Sequence, residues 1–127
     1  MTIRGVGAVL SVHQRLALAL ILVGLVAAAW CFIDLRRRGA PSGGVRAFIV
    51  LCFALVVVQD AIGLVLLAQG HRPHNVPLHI MYGALSAAVL PVAWGMSARS
   101  PGRSEALFLG FGSLLFAGLT LRATLVA

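Results

Sequence analysis

The chain has no lysine, three acidic residues and a single tyrosine among its 127 residues. Charged residues make up 10% of it, against about 25% in an average soluble domain. So few charges cannot cover a water-facing globular surface, which excludes an ordinary soluble domain. Cysteine is scarce as well. Cys31 and Cys52 form no disulfide framework and no metal site by themselves, and buried packing is the expected role of such small apolar side chains. Alternation of apolar and polar residues, the mark of a half-buried strand, is also missing.

What the chain has is long apolar runs, with 61% of its residues hydrophobic. A helix of about 20 apolar residues crosses a bilayer. Four blocks of that kind lie near residues 9–33, 45–68, 76–94 and 105–126, the second interrupted only by Gln59 and Asp60. The connectors "DLRRRGAPSGGVR", "QGHRPHN" and "SARSPGRS" are short and polar. Gly43, Gly44, Gly70 and Gly102, with Pro41, Pro73, Pro77 and Pro101, mark the joins. Backbone groups in lipid must be satisfied within their own segment, so the blocks are predicted to be helices. Short connectors make neighbours antiparallel. The expected fold is all-α: one integral membrane four-helix bundle, up-down-up-down, spanning 1–127 as a single domain.

A net charge of +7 on a soluble chain would suggest a nucleic-acid partner. Here membrane topology accounts for it, and no nucleic acid is expected. All ten basic residues are arginine. Six lie in the first and third connectors (Arg36, Arg37, Arg38, Arg46, Arg99 and Arg103), against Arg4, Arg15, Arg72 and Arg122 elsewhere. The positive-inside rule places the richer side in the cytoplasm. The expectation is therefore a multi-pass protein of the cytoplasmic membrane, with its termini and the second connector outside. Residues 1–30 look superficially like a signal peptide. Their apolar run is too long, however, and the stronger positive flank follows it. In "AAAWC", Trp30 occupies the place where a lipoprotein site needs a small residue. The first helix is expected to be retained.

The chain has four histidines, three of them in "HRPHNVPLH", residues 71–79; the fourth is His13. His13 and His79 each fall about one turn inside a helix that enters from the same side. In this topology the first and third helices are parallel and diagonal, so the two rings can face each other across the bundle. Bundles build cofactor sites from side chains on facing helices, and haem iron takes histidine as an axial ligand. Small residues lie near both rings: Ala17 and Gly24 after His13, Gly83, Ser86 and Ala87 after His79, and Gly63 on the second helix. They are expected to leave slots for a flat ligand, although membrane helices also use small residues simply to pack closely.

The stretch "VQDAIGLVLLAQGHRPHNVPLHIMYGAL" resembles a segment of haem A synthases, at Gln59, Gly63, Pro73, Val76 and His79. His13, with Arg15 nearby, fills the place of that family's other ligand, two helices earlier. The resemblance covers roughly residues 10–95. It implies one haem b held by His13 and His79 within half of a synthase-like structure. The family's outer-loop carboxylate and cysteine pair have no counterpart, since Glu105 is the only glutamate and falls on the opposite side. The resemblance thus implies cofactor binding and electron transfer, without the oxidation of a haem methyl group.

Other polar residues have plainer expected roles. Gln59 is a candidate partner of a haem ligand, or interhelical glue. Tyr82 is an orienting or interfacial aromatic. Arg15, Arg72 and Arg122 are candidates for haem propionates, since arginine pairs well with carboxylates. His71 and His74 are expected to border the pocket without ligating. Asp60 is expected to form a hydrogen bond to a neighbouring helix, with a proton or quinone role as the alternative. Three functions follow: a small membrane cytochrome, an accessory subunit of a respiratory or photosynthetic complex with or without haem, and a haem-handling or oxidase-assembly factor. Electron transfer or an accessory role, rather than enzyme activity on its own, is expected. A transporter is disfavoured, because no pair of broken helices is visible.

Overall fold

Ser42 and Asn75 stand immediately before two of the apolar blocks, and each starts a helix. In the computed structural model, which describes residues 3–127, the Ser42 hydroxyl accepts from the Val45 N–H at 3.3 Å. The Asn75 side chain accepts from the Leu78 N–H at 3.2 Å. Both are N-caps that satisfy donors left open by the first turn. The four helices are α1 (Ile3–Arg38), α2 (Gly43–Ala68), α3 (Val76–Ala98) and α4 (Arg103–Leu125). The described residues contain no strand.

Helix α1 starts and stops beyond its apolar block, whereas the other three helices outrun theirs only at the arginine end. Charged residues leave the hydrocarbon without giving up i to i−4 hydrogen bonds, so Asp34 to Arg38 stay helical. Gly39, at φ +73°, ends the run, and its N–H donates back to the Asp34 and Leu35 carbonyls. Likewise α3 runs to Ala98, with Pro91 inside it.

Two contacts fix the topology. The Arg46–Glu105 ion pair, at 2.6 Å, ties the first turn of α2 to the first turn of α4. At the other end the Asn75 N–H donates to the Val126 carbonyl at 3.3 Å. The helices therefore run up-down-up-down, as expected. Around the ring, α4 has the largest interfaces, with α1 and with α3. The α1–α2 interface is smaller and the α2–α3 interface smaller again. The helices α1 and α3 are diagonal.

The core runs through Leu20, Ala27, Cys31, Val45, Ile49, Cys52, Val56, Leu90, Leu109 and Phe116. Both cysteines are free and buried in it, as their small apolar character leads one to expect. Several glycines let neighbouring helices approach closely. A Cβ on Gly24 would lie 2.8 Å from Phe116, one on Gly110 2.9 Å from Phe32, and one on Gly112 2.5 Å from the Ala93 Cβ. This is how membrane helices associate, by van der Waals packing across small residues. Outside, Leu18, Leu22, Leu64, Val92, Phe111 and Leu125 are each more than half exposed. All four helices are long and apolar enough to cross a membrane. Their outward surface suits a lipid bilayer.

A histidine-lined cavity as candidate functional site

His79 sits in the first turn of α3, just after the Asn75 cap and Pro77. His13 lies deeper along the much longer α1. The early start of α1 brings the two to the same level, and their ring centres are 6.2 Å apart with planes at 69°. Two imidazoles that bind one metal ion from opposite sides, with bonds of about 2 Å, place their ring centres roughly 6 Å apart.

Each ring is held from behind. Nδ1 of His79 lies 2.8 Å from the Ala123 carbonyl oxygen of α4. A carbonyl only accepts, so Nδ1 carries the proton and Nε2 keeps its lone pair. Metal-binding histidines are commonly oriented in this way. His13 is gripped through its backbone, where the Gln59 amide donates to its carbonyl at 2.8 Å. Nδ1 of His13 and Oε1 of Gln59 are both buried without a hydrogen-bond partner. Gly63 seats the His13 ring: a Cβ there would lie 3.2 Å from Cε1 and 3.7 Å from Nε2. The slot expected at Gly63 is thus where the imidazole itself lies.

Between the helices is a cavity of about 420 Å³, within the range of small-molecule and cofactor sites. His13, Asp60, Gly63, His79 and Gly83 line its interior, and His71, Arg72 and His74 its loop end. Leu64 and Ile80 also line it, at 64% and 46% exposure, so the cavity opens toward the bilayer along the thin α2–α3 seam. Asp60 makes no hydrogen bond to a neighbouring helix among the described residues. That corrects its expected role as a structural hydrogen bond. Its carboxylate faces the cavity, 3.5 Å from where a Gly83 Cβ would stand and within electrostatic range of His79. Across the narrow α2–α3 interface the group that faces it is the His79 ring, which forms no hydrogen bond with it.

Several expected site residues lie elsewhere. Ala17 is buried in helix packing, and Arg15 is exposed outside the cavity. Gln59 stands behind His13 and does not line the cavity. Arg122 lies over the Tyr82 ring at 5.9 Å, and neither lines the cavity. Gly24 packs against Phe116 and Ala117. The cause is rotation about the helix axis. At about 100° per residue, Arg15 points nearly opposite to His13 although their depths are similar. Ala123 could not be foreseen from residue types, because a backbone carbonyl carries no side-chain signature.

Among the described residues, no three histidine, cysteine or acidic side chains are grouped to hold a metal ion. The class is therefore defined by fold and cavity: a four-helix bundle built to span a membrane, with paired histidines facing each other near one end. No protein-family model, no curated protein and no solved structure matches the chain.

Proposed function

We propose that this chain is a membrane-embedded haem b-binding protein that holds one haem between His13 and His79. It serves in electron transfer, as a small cytochrome or as an accessory subunit of a respiratory or photosynthetic complex. The observation that carries this reading is the facing pair of rings, 6.2 Å apart, with Nδ1 of His79 fixed by the Ala123 carbonyl.

The residues present fit that group. Two imidazoles are too few for a bare metal ion, whereas a haem, which brings four nitrogens of its own, would need only His13 and His79 from the chain. Held by His13 and His79, a haem would supply the passage of single electrons. His79 presents Nε2 to the cavity, Gly63 seats the His13 ring, and Gly83 keeps a side chain out of the opposite wall. Arg72, at the loop end, is placed to meet carboxylates. The resemblance of the Gln59-to-His79 stretch to haem A synthases supports the cofactor half of that family's chemistry. The arginine bias supports an orientation with the cavity on the outer side of the cytoplasmic membrane. A quinone or a larger membrane subunit would then be the electron partner.

An absorption spectrum of the purified protein tests this. One low-spin haem per chain is expected, reducible by dithionite. A colourless protein from haem-replete cells would overturn the reading and leave a haem-free structural subunit.

A further inference from the structure

We infer that a groove between α3 and α4 binds the acyl chain of one anionic phospholipid, whose headgroup is held by Arg99 and Arg103. The inference is independent of the haem.

The groove has a volume of about 470 Å³ and is almost wholly apolar. Val89, Val92 and Met96 form one wall, and Leu107, Phe108 and Phe111 the other. Its floor is the close crossing of Ala93 and Gly112. Along α4 it runs from Ser104 to Leu115, roughly 16 Å at 1.5 Å per residue. The hydrocarbon core is about 30 Å thick, so the groove spans one leaflet. That length decides the occupant. A transmembrane helix of a second copy would need a groove through both leaflets, whereas a single acyl chain needs one.

The charge at the mouth sets the headgroup. Met96 lies three residues before Arg99, and Leu107 four residues after Arg103, so each arginine shares a helix face with a groove wall. Arg46 is engaged with Glu105, the only ion pair among the described residues. Arg99 and Arg103 have no carboxylate partner there and remain available for a phosphate. Basic pockets between helices on one side of a membrane bind anionic headgroups in this way.

The test uses delipidated protein in detergent, re-exposed to phosphatidylglycerol or to phosphatidylcholine with the same chains, and native mass spectrometry to count retained lipid. One phosphatidylglycerol per chain should be retained in preference to phosphatidylcholine. Arg99→Gln/Arg103→Gln should weaken retention by about fivefold per arginine, the equivalent of about 1 kcal/mol each. Val92→Trp, which fills the groove and leaves every charge in place, should weaken it as well. Arg36→Gln/Arg37→Gln removes the same charge at the same end and should leave it within twofold. Equal retention of the two lipids would overturn the proposal. So would equal loss in the Arg36/Arg37 variant, or a dimer that occupies the groove in place of lipid.

Discussion

At the arginine end of the bundle, Asp34 accepts from the Ser42 N–H at 2.9 Å, Arg46 grips Glu105, and Trp30 and Phe32 fill the hollows at Gly44 and Gly110. At the histidine end, His13 Nδ1 and Gln59 Oε1 are buried without partners, and a cavity of about 420 Å³ separates α2 from α3. Glycine shows the contrast best. A Cβ on Gly110 or Gly112 would meet a neighbour within 3 Å, whereas one on Gly83 would meet only Asp60, at 3.5 Å. The same residue serves helix contact in one half and free volume in the other. An unpaired buried polar atom costs about 1–3 kcal/mol. Two of the three such side-chain atoms among the described residues lie beside the cavity, where a ligand would be held, and the third is Ser113 Oγ, buried on α4.

Substitutions can break that comparison. The largest loss of stability is expected for Gly112→Leu, whose first carbon alone would land 2.5 Å from the Ala93 Cβ. Overpacking of this kind costs about 1–3 kcal/mol, and more where backbone must move. Thermal unfolding in detergent should show a lower midpoint. Gly83→Leu should leave the midpoint nearly unchanged and instead empty the cavity of its ligand. A reversal of the two effects would refute the division of labour.

Gln59→Leu is expected to come next. It removes the hydrogen bond to the His13 carbonyl, and such contacts between membrane helices average about 0.6 kcal/mol. Its main effect should be on His13, seen as faster ligand loss on dilution into detergent. Arg46→Gln should cost less than about 1 kcal/mol, because the arginine is 41% exposed and partly screened. Asp60→Asn should be the mildest. The amide keeps the shape, and no hydrogen bond to a neighbouring helix is lost, so folding and ligand content should match the parent. Loss of electron transfer with ligand retained would assign Asp60 a proton or quinone role.

The four spans were legible because lipid imposes length and apolarity on every crossing helix. The His13–His79 pair was legible because residue number sets depth. Rotation about each axis was not, because packing decides it. That is why Tyr82 and Arg122 pair with each other, Arg15 faces away, and Gly63 supports a ring instead of leaving a slot. Asp60 illustrates the same limit: its depth suggested a hydrogen bond to another helix, and the thin α2–α3 seam supplies only the His79 ring within electrostatic range.

The central claim is that His13 and His79 are the two ligands of a single haem. Electron paramagnetic resonance of the oxidised protein tests it most directly, on the parent, His13→Ala, His79→Ala and His74→Ala. The parent and His74→Ala should give the low-spin signal of two imidazoles on ferric iron. His13→Ala and His79→Ala should each lose it, turning high-spin or losing the haem. A low-spin signal that survives either of those two substitutions would contradict the account.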